Sequence, residues 1–566
     1  MSIRLPIGYS DFKEIAGGEF DFVDKSLFVK EVLEDTKVVL ITRPRRFGKT
    51  LNMSMLRYFL DINANAADLF ANLKISEEKE FFAKHHGQYP VIYLTFKDIK
   101  SASYKEAYEK IKYVIQNVYD KFSRVLLSSD QLTALQKRKI NLVLEDGISQ
   151  PEIEESLLFL SCCLHDHYDR KVCILIDEYD TPIHTGYLND YYQQIAGFFR
   201  GLLGAALKDN PYLFKAALTG ILRVSKESLF SGLNNVEVYS VLSQKYGDYF
   251  GFTENEVEEL LVKTGQQAKS EEIRRWYNGY QIGNHRIYNP WSMVNCLMKE
   301  GIVDRYWLNT SDNALIKHLL LKSTDIFKTR LESLLLGRAI TYLIDEYIAF
   351  AELDTNESAV WSLFLMAGYL TVDSFERTVD GPLCQLRIPN IEIRSLYRGI
   401  FVSWLSDGFG IPWYHTFLES LLDGNIVEFE NKLKLILERI VSVHDMSHSP
   451  EAFYHGLLVG LTASLSDRKD YEIKSNRESG YGRYDYMILS KLPNKPTIIF
   501  EFKKVKLSEE ELETIKLKLE ESAIDALNQI NARGYVVEAK QCGAKNILKI
   551  GLAFSGKRFV LVHEKE

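Results

Sequence analysis

Cysteine is scarce: six are scattered over 566 residues, with no CxxC pair and no zinc-ligand spacing. Cys162, Cys163, Cys173, Cys296, Cys384 and Cys542 therefore read as free thiols of a reducing cytoplasm, most of them among apolar neighbours and expected to be buried. Proline and glycine number only 13 and 33, without period, which excludes collagen-like and low-complexity chains. No run of about 18 uncharged apolar residues occurs, so nothing is expected to span a bilayer. The opening MSIRLPIGYSDF has no apolar stretch behind a basic start, and so does not read as a secretory signal. An excess of one charge is missing too. Against 77 Asp and Glu stand 69 Lys and Arg, a net charge of −8. No protein-wide basic field of the kind that drives nonspecific nucleic-acid binding exists, so any such site must be local.

What is present is a 46% hydrophobic, 12% aromatic chain, long enough for three to four domains at about 150 residues each. The expected fold class is a multidomain α/β protein. Residues 1–240 alternate apolar runs with helical stretches, the pattern of a parallel sheet. Strands are expected at Val38–Ile41, Val91–Leu94, Val172–Ile176 and Leu213–Leu218, with helices at 104–125, 131–145 and 151–168. Residues 241–410 read as mostly helical, with a winged-helix arrangement as one option. They carry the aromatic clusters Trp276-Tyr277-Asn278-Gly279-Tyr280, Tyr288-Asn289-Pro290-Trp291 and Tyr306-Trp307, read as packing residues, with base stacking by exposed rings as the alternative. Residues 411–566 form a third part. It holds a helix at 450–466, strands at 470–474, 483–489 and 497–503, a charged helix at 508–532, and strands near 546–554 and 557–563.

The first chemical constellation follows the first strand: Thr42-Arg43-Pro44-Arg45-Arg46-Phe47-Gly48-Lys49-Thr50, leading into the amphipathic Leu51–Leu60. Strand, loop, GKT, helix is the context of a phosphate-binding loop. The amides at Gly48 and the helix start would hold phosphates, Lys49 would reach the β/γ-phosphates, and the Thr50 hydroxyl would ligate Mg²⁺. Arg43 stands where the usual pattern has its first glycine. The strand Val172–Ile176 supplies a partner, ending in Asp177-Glu178-Tyr179-Asp180. Asp177 would hold the Mg²⁺ shell and Glu178 would polarise the attacking water. Thr219, ending the strand at 213–218, is a candidate γ-phosphate sensor. Arg45, Arg46 and Arg223 are unranked candidates for contacting phosphate or neutralising transition-state charge.

The second constellation lies in Ile498-Ile499-Phe500-Glu501-Phe502-Lys503. Alternation puts Phe500 and Phe502 on one face and Glu501 and Lys503 on the other. Asp485, on the face opposite Tyr484 and Tyr486, can pair across a hairpin whose loop is expected at Leu489–Ile498. Asp485 and Glu501 then converge on one Mg²⁺ beside Lys503, a set suited to phosphodiester hydrolysis. Glu451 and His455 are more remote candidates, the segment being mainly a helix start. Residues 451–566 hold 19 basic and 17 acidic side chains, net +2, so the acidity lies elsewhere. Lys503-Lys504-Val505-Lys506 could meet a phosphate backbone.

On these residues the chain resembles the prokaryotic AAA-ATPase-like family that carries a C-terminal PD-(D/E)XK nuclease-like domain. The resemblance also rests on Phe22-Val23-Asp24-Lys25, Thr219-Gly220-Ile221-Leu222-Arg223-Val224-Ser225, the aromatic clusters, and Ser475-Asn476-Arg477-Glu478-Ser479-Gly480-Tyr481-Gly482-Arg483-Tyr484-Asp485. It implies an N-terminal P-loop ATPase and a C-terminal restriction-endonuclease-like α/β domain. ATP and Mg²⁺ are the implied cofactors. The family's usual loop is RPRRFGKT, so Arg43 fits it; Tyr484 departs from the motif's proline. The function expected is an ATP-controlled, Mg²⁺-dependent nuclease acting on nucleic acid, DNA before RNA, with no membrane partner. A nucleotide-driven switch that binds nucleic acid or a partner without cutting is the alternative. A homo-oligomer, with Arg223 acting across a subunit boundary, is a third reading.

Overall fold

The structure is a computed structural model that describes residues 4–223, 235–308, 325–335, 337–348, 350–353, 355–406, 410–440, 470–479, 482–505, 512–532, 535–555 and 558–566, with single positions 316, 319, 458, 462 and 465. The chain divides into two compact units, residues 1–319 with 341–392, and residues 320–340 with 393–566. The expected middle part is thus shared between them. Among the described residues no helix is long and apolar enough to cross a membrane.

Continuous apolar runs make the first unit's sheet. β1 (Val38–Thr42) and β3 (Val172–Asp177) are buried along their whole length, as strands covered on both faces should be. With β2 (Val91–Thr95), β4 (Leu213–Gly220) and β5 (Val236–Tyr239) they form an all-parallel sheet in the order β2-β3-β4-β1-β5. The four expected strands are in place. In space it is β4 that lies between the phosphate-loop strand and the acidic strand; β2, between them in sequence, is an edge. The other edge, β5, was not expected: its four residues show no fully buried position and carry no long apolar signal. The expected helices form at Tyr104–Ser128, Ala134–Leu144 and Ser156–Tyr168. The last is preceded by a separate turn of helix at Gln150–Glu154.

The middle of the chain adds the hairpin β6 (Tyr280–Ile282) and β7 (His285–Ile287), and β8 (Ile340–Leu343), β9 (Thr371–Thr378) and β10 (Gly381–Arg387), ordered β8-β10-β9. Tyr277, Tyr280, Tyr288, Tyr306 and Trp307 are buried, and Trp276 and Trp291 half-buried, so these rings pack. Of the six cysteines four are buried; Cys162 is half-buried and Cys542 exposed.

The second unit carries β11 (Tyr471–Ser479), β12 (Gly482–Ser490), β13 (Thr497–Lys504), β14 (Ile547–Ser555) and β15 (Arg558–Lys565) in sequential order. Only β13 and β14 pair in parallel, and the helix Leu512–Ala532 lies between them in sequence. This is the crossover a parallel pair requires. Met487, Ile499, Ile530, Tyr535, Ala539 and Ile547 pack that helix and the shorter Tyr535–Gln541 onto one face. Gly551 permits the close approach, since a Cβ there would strike the Ala523 carbonyl. The hairpin turn is 491–496, shorter than expected, because β12 and β13 extend to Ser490 and Thr497. Most of the expected helix at 450–466, with Glu451 and His455, lies outside the described residues.

Candidate active sites

At the end of β1 the left-handed turns fall on Arg46 (φ 63°) and Gly48 (φ 86°), not on position 43. A Cβ at Arg43 therefore costs the loop nothing, and its side chain does structural work. The Arg43 guanidinium is wholly buried. It donates to the carbonyls of Thr42 (2.8 Å), Tyr239 (2.9 Å), Ser240 (3.0 Å) and Tyr246 (3.0 Å). Burial pushes its pKa down to about 9. The loop is thereby fastened to the segment after β5, and the Arg43 amide fastens it to the Gly220 carbonyl of β4 (3.0 Å). The helix Lys49–Leu60 then starts at Lys49, whose buried ammonium donates to the carbonyls of Arg43 (3.2 Å) and Pro44 (3.0 Å). Burial pulls the Lys49 pKa down, against the charges of Glu178, Asp177 and Asp180, which favour the ammonium.

Asp177 is the meeting point of three strand ends and this helix. Its carboxylate accepts from Thr50 (2.8 Å), from Thr219 at the end of β4 (2.6 Å) and from Thr95 at the end of β2 (3.5 Å). Complete burial raises its pKa, as does the charge of Glu178, while the two closer hydroxyls and Lys49 oppose the rise. Glu178 adopts a left-handed backbone (φ 51°), an uncommon state for a non-glycine residue and one that concentrates at functional sites. Its amide faces the Thr219 hydroxyl (3.4 Å), and its carboxylate accepts from Thr181 (3.3 Å).

Asp180 was visible in the sequence only as the end of an acidic run. It is buried, and accepts from the amides of Ile221 (2.7 Å) and Leu222 (3.0 Å), with the His184 ring nitrogen 3.2 Å away. Burial works to raise its pKa, but His184 and the two amides leave it below the usual range. Tyr179 donates to the Leu222 carbonyl (2.6 Å). Gly220 is required here, since a Cβ would sit 2.7 Å from the Tyr179 ring. Asp180 and Tyr179 thus clamp the tip that carries Thr219.

Arg45, Arg46, Gly48, Lys49, Thr50 and Glu178 line one cavity of about 520 Å³, closed by the N-terminal segment Leu5–Ser10 and by Trp291. The oxygens of Thr50, which lines it, and of the buried Asp177, to which Thr50 donates, are of the hard type that suits Mg²⁺. Arg223 is not brought to this cavity. It lines another, of about 440 Å³, with its guanidinium 4.3 Å over the Tyr347 ring.

Behind the loop, the Trp307 indole donates to the Arg45 carbonyl (3.1 Å), and its amide donates to the buried Glu392 (2.6 Å), which also accepts from Ser292 (2.8 Å). Burial lifts the Glu392 carboxyl to about 7, with hydrogen bonds from Ser292 and the Trp307 and Leu308 amides only partly opposing it. A raised carboxyl pKa gives stability that is full below the unfolded value and lost as pH rises to about 7. Glu392→Gln, which does not titrate, should therefore match the wild type in thermal melts at pH 4.5. At pH 8 it should be the more stable by about 3 kcal/mol. Equal stability at both pH values would show that Glu392 is not held neutral.

In the second unit, Glu501 of β13 is 3% exposed and its carboxylate accepts from Gln529 of the crossover helix. Lys503 donates to the Gln529 carbonyl (2.6 Å) and lies 3.8 Å from Glu501. Gln529 also reaches the Tyr535 hydroxyl (3.3 Å). One amide thus ties the acid to the lysine, a role with no signal in a helix of mixed charge. The β12–β13 ladder pairs Ile488 with Ile498, Met487 with Ile499 and Tyr486 with Phe500. This ladder ends one residue short of Asp485 and Glu501, and the Asp485 side chain lies outside the described residues. Among those described, no three His, Cys, Asp or Glu converge as a metal cluster.

Comparison with known proteins finds a family match at each end of the chain. A family model described as predicted AAA-ATPase matches residues 6–230, and one described as PD-(D/E)XK nuclease superfamily matches residues 449–564. A protein of Azotobacter chroococcum mcd 1, named as an uncharacterized protein in the vnfD 5′ region, is 26% identical over 563 residues, covering 98% of this chain and 96% of its own length.

Proposed function

We propose that this chain, with its N-terminal predicted AAA-ATPase domain and C-terminal PD-(D/E)XK superfamily domain, hydrolyses ATP in the first unit. The nucleotide state then controls phosphodiester cleavage of nucleic acid, DNA before RNA, in the second. The observation that carries the reading is the convergence of Thr50, Thr95 and Thr219 on the Asp177 carboxylate at the C-terminal edge of a parallel sheet, the edge where such sheets bind ligands.

In this reading the amides at the start of the helix Lys49–Leu60 receive phosphate oxygens. Lys49 exchanges its two carbonyl partners for the β- and γ-phosphates. Thr50 and Asp177 would hold Mg²⁺, which when bound neutralises phosphate charge. Glu178 orients the attacking water and takes its proton. Thr219 fixes the Asp177 carboxylate, and its hydroxyl touches the Glu178 amide, so it couples the metal-binding acid to the base. In the second unit Asp485 and Glu501 would hold Mg²⁺, with Lys503 beside the scissile phosphate.

Purified protein incubated with ATP, Mg²⁺ and labelled DNA or RNA should hydrolyse the nucleotide and cut one of the two polymers. Hydrolysis without any cutting would end the nuclease part and favour a nucleotide-driven switch.

A further inference from the structure

The cavity of about 440 Å³ that receives Arg223 takes part in no step proposed above. Its volume is that of a small-molecule site, which typically runs from about 300 to 1,000 Å³. The charged groups on its wall fall into two classes. Two are committed: Lys245 pairs with Asp35 (2.8 Å), and the Glu346 carboxylate accepts from the Ser240 hydroxyl. Three are not. Among the described residues, the Arg377 guanidinium and the Glu237 carboxylate make no hydrogen bond or ion pair. The Arg223 guanidinium makes none either, beyond its contact with the Tyr347 ring at 4.3 Å. Phe375 stands two residues before Arg377 on β9, and so on the same face of that strand. Its ring lines the cavity and is 38% exposed.

We infer that this cavity is a site for a ribonucleoside monophosphate, separate from the phosphate loop. Such a ligand has a partner for every uncommitted group. Its phosphate suits the forks of Arg223 and Arg377, since guanidinium grips phosphate through paired, charge-assisted hydrogen bonds. Its base has the Phe375 ring to stack on. Its ribose hydroxyls can donate to Glu237, the contact a carboxylate makes with ribose in dinucleotide-binding folds. Phosphate alone would leave Phe375 unused and Glu237 facing a second anion; a nucleoside would leave both arginines unused. Tyr347 is a positioning residue that holds the Arg223 guanidinium in the cavity. The wall is also strapped to the phosphate loop. Tyr239 and Lys245 line the cavity, and Arg43 donates to the carbonyls of Tyr239 (2.9 Å), Ser240 (3.0 Å) and Tyr246 (3.0 Å). An occupant is thereby linked to the first site through Arg43. That link rests on the ATPase reading above; the site itself does not.

AMP, GMP, CMP and UMP would be titrated calorimetrically into the full chain, as wild type and as Lys49→Ala, which removes the cation of the phosphate loop. The same titrations would be run with Arg377→Glu added, a charge reversal at an exposed position that the fold tolerates, and with Arg223→Ala added. Thermal melts check that each variant is folded. At least one monophosphate should bind Lys49→Ala at one equivalent, about tenfold or more tighter than inorganic phosphate or its own nucleoside. Either arginine substitution should weaken it at least tenfold. Its 2′-deoxy form should bind more weakly, and Glu237→Ala should erase that difference. The bound monophosphate should also move the Kd of a non-hydrolysable ATP analogue for wild type by about fivefold or more, and leave it unmoved in Arg377→Glu. No binding to Lys49→Ala, or binding untouched by both arginine substitutions, would overturn the site. Equal affinity for phosphate alone, or an undiminished ribose preference in Glu237→Ala, would overturn its nucleotide character. An analogue Kd unmoved in wild type would overturn the link through Arg43. If wild type binds no ATP analogue, the ATPase reading fails, and the titrations of Lys49→Ala still decide this site.

Discussion

Glu178→Gln is expected to lower ATP turnover by about 10²–10³-fold while leaving ATP bound, the loss appropriate to a general base at this position. That is about 3–4 kcal/mol of transition-state stabilisation. The isosteric amide keeps an oxygen for the Thr181 hydroxyl (3.3 Å) and leaves the Thr219 contact to the backbone unaltered, so folding and the left-handed turn are spared. What goes is the ability to take a proton. Lys49→Ala makes the contrast. Its ammonium donates to the Arg43 and Pro44 carbonyls and, in the proposed reading, would exchange them for phosphates, so that variant should lose affinity as well as turnover. Calorimetric Kd and steady-state kcat on both variants separate the two roles. A Glu178→Gln protein that turns over at the wild-type rate would remove Glu178 from the mechanism.

The second large effect is on the other unit. Glu501→Gln should reduce nucleic-acid cleavage by at least about 10³-fold, since a neutral amide is a poor ligand for a hard cation. ATP hydrolysis should be unchanged, because the residue belongs to a different compact unit. The fold should survive. Glu501 is buried on the same face as Lys503, and the Gln529 amide that bridges them can turn to bond an amide as well as a carboxylate. Cleavage of labelled DNA in Mg²⁺, read beside a thermal melt, tests this. Wild-type cleavage by Glu501→Gln would take the nuclease site away from β13.

Much of this geometry is legible in the chain, for identifiable reasons. β1 and β3 announce themselves because strands buried on both faces must be continuously apolar. The GKT loop and the DE tip are legible because phosphate chemistry demands those side chains next to each other in sequence. What was not legible is what depends on partners far along the chain. Arg43 stands where the usual pattern has its first glycine, and what its side chain does emerges only when its guanidinium is seen on the carbonyls of Tyr239, Ser240 and Tyr246, about two hundred residues away. Asp180 reads as a surplus acid until the Ile221 and Leu222 amides are set on it. Gln529 is one polar residue in a charged helix, and only the crossover brings it between Glu501 and Lys503. Arg223 follows a strand end at the spacing of a phosphate contact, yet the chain turns it to Tyr347. Short β5 was missed because four edge residues carry no burial pattern.

The central claim, that the nucleotide site governs the nuclease site, is tested most directly by the rate of DNA and RNA cleavage with and without ATP. Wild type, Lys49→Ala and Glu501→Gln would be measured side by side. Cleavage by wild type should change at least tenfold with ATP, cleavage by Lys49→Ala should not respond to it, and Glu501→Gln should not cut under any condition. Wild-type cleavage at one rate regardless of ATP, matched by Lys49→Ala, would contradict the coupling.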